Sequence, residues 1–128
     1  MTITPVYAAL LGLLFIALSV RVIRLRRSRK VAVGARGDEA IERAMRVHAN
    51  FAEYAPLGLL LIAMLELKGV AGIWIHILGL MLLGGRALHA YGMSRPNEDF
   101  RFRVGGMSLT FGAIGLASAS LLALAILR

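Results

Sequence analysis

The chain has 128 residues, 59% of them hydrophobic and 17% charged, with a mean hydropathy of +0.75. That balance excludes an ordinary soluble domain and points to lipid as the solvent of a single domain covering residues 1–128. No cysteine is present, which excludes a disulfide framework, a protein thiol nucleophile and a cysteine metal site, and the net charge of +8 falls in two blocks between apolar runs, the pattern that sets membrane orientation.

The first apolar run, Thr4 to Val20, holds 17 uncharged residues. As a helix it just crosses a hydrocarbon core of ~30 Å. No Lys or Arg precedes Arg21, so a removable signal peptide is not expected and the first span is retained. Arg21, Arg24, Arg26, Arg27, Arg29, Lys30 and Arg36 follow, punctuated by Gly34 and Gly37, and read as a frayed helix end and a loop.

Asp38 and Glu39 place negative charge at the start of a second helix running to about Leu67. At ~1.5 Å per residue it is about 43 Å long, so its first turns protrude from the membrane. Pro56 removes one backbone donor, and a kink near Ala52 is expected. The short connection at Glu66 to Gly69 makes a third helix, Val70 to Tyr91, an antiparallel neighbour. A turn at Ser94 to Asn97 leads to Glu98 and Asp99, which open a fourth helix with an uncharged stretch of 24 residues from Val104 to Leu127. The small residues Ser108, Gly112, Gly115 and Ala119 would let another helix approach, although Gly and Ala are common in membrane helices generally. The expected fold is an all-α transmembrane four-helix bundle.

Of the fifteen Lys and Arg, nine lie between Arg21 and Arg46 and four between Arg86 and Arg103, leaving Lys68 and Arg128. The positive-inside rule makes the basic face cytoplasmic and puts both termini outside.

Arg46, Asn50 and Glu53 are spaced four and three apart, within about 60° of one another on the second helix. Arg43 and Glu42 extend this stripe, while His48 points to nearly the opposite face. A carboxylate at the depth of Glu53 needs a partner or a wet cavity. A plain salt-bridge network would supply one, but the excess of arginine leaves positive charge for an anionic ligand. On the third helix, Arg86 and His89 share a side and a depth, whereas His76, near the other end, reads as a packing residue. On the fourth, Arg101 reads as an interfacial anchor, and Arg103 shares a face with Gly106, Met107 and Thr110. Cations from three helices above a carboxylate suit a small zwitterion with excess negative charge: arginine clamps carboxylates, Glu53 takes an ammonium group and Asn50 an amide.

The run Glu42-Arg43-Ala44-Met45-Arg46-Val47-His48-Ala49-Asn50-Phe51-Ala52-Glu53-Tyr54-Ala55-Pro56 resembles the signature of the membrane-associated proteins in eicosanoid and glutathione metabolism, MAPEG, and in particular of its short bacterial members. The resemblance extends through Arg86, His89 and the Arg103 region. It implies a homotrimer in a bacterial inner membrane, with the second helix near the threefold axis and glutathione bound as co-substrate between subunits near the cytoplasmic face. Carried over, Arg46, His48, Asn50, Glu53, Tyr54, Arg86 and His89 become glutathione ligands, with Arg21 or Arg24 added from the first helix. Arg103 becomes the catalytic group that stabilises the glutathione thiolate, with Arg101 as the alternative. The implied activity is that of a glutathione transferase or peroxidase acting on hydrophobic electrophiles or lipid hydroperoxides; the alternative is a non-enzymatic lipid-binding or scaffolding member. Implied partners are glutathione, a hydrophobic small molecule or lipid, membrane lipids and further copies of the chain, with no nucleic acid. This chain departs from the eicosanoid enzymes in carrying Met93 where they have a tyrosine, with Tyr91 out of phase. A proton-coupled multidrug transporter also has four spans and an embedded carboxylate, but in proteins of that kind the carboxylate lies in the first span, and the first helix here has none.

Overall fold

The computed structural model describes residues 1–127, and Arg128 lies outside the described residues. It contains α1 (Thr4–Ser28), α2 (Glu39–Leu67), α3 (Gly72–Met93) and α4 (Phe100–Ile126), each long and apolar enough to cross a membrane. They form a four-helix membrane bundle, as the apolar runs require. Large apolar side chains such as Leu13, Ile16, Leu60, Ile73, Leu80 and Leu122 cover its outside, the arrangement lipid favours.

The helix boundaries follow from local chemistry. Asp38 caps α2 by accepting from the Ile41 amide at 3.1 Å, and Asp99 caps α4 by accepting from the Arg101 amide at 3.0 Å. The helix of α1 continues to Ser28, well past the end of its apolar run, because Arg and Leu are good helix formers. It stops at a Schellman turn, in which the Val31 amide reaches the Arg26 carbonyl at 2.9 Å and Lys30 takes a positive φ of 55°. The same motif ends α2: the Val70 amide donates to the Leu65 carbonyl at 3.2 Å, with Gly69 at φ 75°. Pro56 lies inside α2, which passes through it as one helix.

Helix α1 has no capping side chain of its own at its start. Glu66, at the far end of α2, supplies it: its carboxylate accepts from the amides of Thr2, Ile3 and Thr4 and from the Thr4 hydroxyl. At this end Tyr7 Oη also meets His76 Nδ1 at 2.9 Å, so His76 ties α3 to α1 as a packing residue.

The seam between α3 and α4 is the tightest. Gly106, Thr110, Ala113 and Ala117 line it from α4, spaced as one helical face. A Cβ on Gly106 would lie 2.5 Å from the His89 amide nitrogen and 2.7 Å from the Gly85 carbonyl oxygen. The approach therefore uses a different face from that of Gly115, where a Cβ would meet nothing within 4 Å. Gly106→Ala is expected to destabilise the bundle by about 1–3 kcal/mol, since the obstruction is backbone that cannot rotate away. Gly115→Ala should be neutral or slightly stabilising. Unfolding of both variants in detergent checks this contrast.

Candidate functional site

The basic end of the bundle brings together the end of α1, the start of α2, the end of α3 and the start of α4. Arg21 Nη2 donates to the Ser94 carbonyl at 3.1 Å, and Arg43 Nη1 donates to the Met93 carbonyl at 3.3 Å. Arg24 is exposed, so of the two α1 arginines it is Arg21 that the structure carries to the α3 terminus.

At the centre of the site Arg86 is only 1% exposed. Its Nε donates to Thr110 Oγ1 at 2.9 Å, one terminal nitrogen to Asn50 Oδ1 at 2.6 Å and the other to Met107 Sδ at 3.0 Å. The guanidinium carbon also lies 5.5 Å from the Tyr54 ring centroid. Every partner is neutral, so this charge has no carboxylate against it among the described residues. Tyr54 packs edge-on to Phe111 at 5.5 Å, joining α2 to α4 over the same guanidinium. Arg86 thus lies beneath Asn50, holding the carboxamide oxygen inward and leaving the amide nitrogen to face out.

Outside Asn50, Arg46 and Glu53 are exposed and take part in no ion pair among the described residues. Among the described residues Arg46 and Glu53 form no part of a salt-bridge network, whereas Arg43, further along the stripe, pairs with Glu39 and Glu98. Both side chains project from a membrane-spanning helix, where an ionised group facing lipid is costly.

Arg103 occupies the other side. Its Nη1 donates to Glu98 Oε1 at 3.1 Å, while Arg43 Nη1 donates to Glu98 Oε2 at 2.6 Å. Two guanidiniums, from α2 and α4, thus share one carboxylate in the α3–α4 loop, and Arg43 also meets Glu39 at 3.4 Å. Burial alone would raise the Glu98 carboxyl, but the hydrogen bonds from Arg43 and Arg103 outweigh it and hold it below the ordinary carboxylate range. A carboxyl lowered by folding adds stability above its unfolded value and loses it as pH falls through its folded value. The melting temperature of the wild type should therefore fall as acid takes the pH below the ordinary carboxylate range, and Glu98→Gln should lack that component.

The remaining candidates are placed differently. His48 turns toward α1, where its Nε2 meets Ser19 Oγ at 2.9 Å and its ring stacks on Phe15 at 4.7 Å, so within one chain it does not join the stripe. His89 is 2% exposed, one turn from Arg86 and packed by its backbone against Gly106. Tyr91 is exposed and accepts from Arg95 at 2.7 Å, away from the site. Arg101 is exposed and paired with Asp99 at 2.9 Å, as an interfacial anchor would be.

Two roles escaped the sequence. Position alone makes Glu98 a charge favouring the α4 terminus, yet Asp99 does the capping and Glu98 binds Arg43, 55 residues away in the chain. Thr110 and Met107 were grouped with Arg103 but serve Arg86. No periodicity reports contacts between separate helices of this kind.

Residues 4–124 match the family model described as MAPEG family. The inner membrane protein YecN of Escherichia coli strain K12 is 38% identical over 112 residues, which is 88% of this chain and 84% of YecN. YecN of strain CFT073 shows the same identity and coverage. No solved structure matches the chain.

Proposed function

Because the chain belongs to the MAPEG family, we propose that it is a glutathione-binding protein of a bacterial inner membrane, acting as a glutathione transferase or peroxidase on hydrophobic electrophiles or lipid hydroperoxides. The observation that carries this reading is the buried Arg86 guanidinium, which has no counter-anion among the described residues and holds Asn50, about one helical turn from Arg46 and Glu53, themselves in no ion pair among the described residues. Arg46 supplies a cation for a carboxylate and Glu53 a carboxylate for an ammonium group, with the Arg86 charge behind them, which suits the charge pattern of glutathione.

In this reading Arg46 clamps a glutathione carboxylate, Glu53 takes the ammonium group and Asn50, fixed from below by Arg86, donates its amide nitrogen to the peptide. Arg86 acts as a positioning residue. A neighbouring copy covers Arg46 and Glu53, which makes the homotrimer the assembly that relieves their exposure to lipid, and brings His48 of one subunit toward the stripe of the next. The basic end faces the cytoplasm and both termini lie outside.

Arg103 stabilises the thiolate at the site. With an electrophile, the thiolate sulfur forms a carbon–sulfur bond as the leaving group departs with its electron pair. With a hydroperoxide, the thiolate displaces the alkoxide from the distal oxygen to give a sulfenic acid and, after protonation, an alcohol. A second glutathione then yields disulfide and water.

The test is conjugation of glutathione to chlorodinitrobenzene by the purified protein, followed by absorbance. Turnover above buffer that is lost in Arg103→Ala is expected. Glutathione binding without turnover of either an electrophile or a hydroperoxide would instead make this a non-enzymatic member.

A further inference from the structure

On the side of α1 away from His48, at the level where the apolar run ends, a cavity of about 540 Å³ opens beside Arg21 and Arg24. Its remaining wall is apolar, formed by Ala17, Val20 and Leu25 of α1 and Ala40 of α2. The volume is that of a small-molecule site. Arg21 and Arg24 are three residues apart, hence on one face and about 4.5 Å apart along the axis. Arg21 borders this cavity and donates to the Ser94 carbonyl, a neutral partner that leaves its charge uncompensated among the described residues. Arg24 is exposed and makes no ion pair among the described residues. Beyond Arg21 a second cavity of about 280 Å³ reaches Arg43, whose bonds to Glu39 at 3.4 Å and Glu98 at 2.6 Å occupy both nearby carboxylates.

We propose that this cavity is a binding site for an anionic phospholipid, with the phosphate on Arg21 and Arg24 and an acyl chain lying along Ala17 and Val20. Charge complementarity selects the occupant. Two uncompensated guanidiniums stand where a headgroup phosphate lies, directly above an apolar helix face that only a chain in the bilayer can follow. A soluble anion would use the arginines but not Ala17 or Val20, and a neutral lipid would use the apolar wall alone. Arg21 also borders the candidate glutathione site through Ser94, whereas Arg24, Ala17 and Val20 line this cavity and not the smaller one.

The experiment is native mass spectrometry of the full chain released from mixed micelles containing phosphatidylglycerol or phosphatidylcholine, with inorganic phosphate as a third arm. The wild type should retain phosphatidylglycerol in preference to phosphatidylcholine by at least about tenfold, given that each basic side chain at an anionic surface contributes about fivefold. Arg21→Gln with Arg24→Gln should erase that preference. Ala17→Phe, at an exposed position that leaves the bundle interior untouched, should block the wall and lower phosphatidylglycerol retention with both arginines intact. Melting temperatures of the same variants without ligand report whether the bundle remains folded independently of the lipid result. Equal retention of the two lipids, retention unchanged by both variants, or displacement of the lipid by millimolar phosphate alone would each overturn the assignment.

Discussion

Replacing Arg103 with alanine should lower kcat/KM for glutathione conjugation by about a hundredfold, the usual loss when a preorganised group that stabilises developing charge is removed. Glu98 engages only one terminal nitrogen of Arg103, at 3.1 Å, and the side chain is 43% exposed, so most of the guanidinium fork remains free for a sulfur. A fixed cation favours the charged form of a neighbouring thiol and lowers its pKa. Its removal raises that pKa toward the ~8.5 of a free thiol, so the loss should be greatest at low pH and shrink as pH rises. The pH–rate profile of Arg103→Ala makes the distinction: a loss of equal size at every pH would mean that Arg103 acts only by holding Glu98 and the α3–α4 loop. Glu98→Gln supplies the complementary control, since it frees Arg103 while leaving its charge in place.

Arg86→Leu is expected to cost about 2 kcal/mol of stability, on the scale of hydrogen bonds made by a charged donor, and to abolish glutathione binding as well. Thr110 would keep its bond to the Gly106 carbonyl at 2.9 Å, but Asn50 would lose the donor that fixes its carboxamide. Arg86→Lys retains the charge, yet an ammonium group is a compact point donor and cannot span Thr110, Asn50 and Met107 in the manner of a planar fork. It should recover part of the stability and little of the binding. Detergent unfolding and glutathione titration on the two variants separate the effects. Full glutathione affinity in Arg86→Leu would show that Asn50 needs no positioning.

The architecture was legible because lipid imposes simple rules. Uncharged runs marked the spans, and the acidic residues Asp38 and Asp99 marked the starts of α2 and α4. The end of α1 lies beyond its apolar run because the arginines continue the helix to a Schellman turn at Lys30, which hydropathy alone does not mark. In the candidate site, helical spacing gave the stripe of Arg46, Asn50 and Glu53, since that periodicity belongs to one helix. Spacing could not show that Arg86 passes under Asn50 to reach Thr110, or that Glu98 joins Arg43 to Arg103. Those contacts depend on how closely α3 and α4 approach, which Gly106 permits. His48 illustrates the limit from the other direction. Its place in the signature made it a ligand, whereas within one chain Ser19 and Phe15 take it up.

The most direct measurement is a thermal-shift titration of the purified protein with glutathione, run beside Arg46→Ala and Glu53→Ala. A ligand bound to the folded form raises the melting temperature in proportion to the logarithm of its concentration once the site is saturated. The wild type should show that rise, and both variants should lose most of it while melting near the wild-type temperature without ligand, because neither side chain has an ion-pair partner among the described residues. Equal shifts in all three proteins, or none in the wild type, would contradict glutathione recognition by this face of α2.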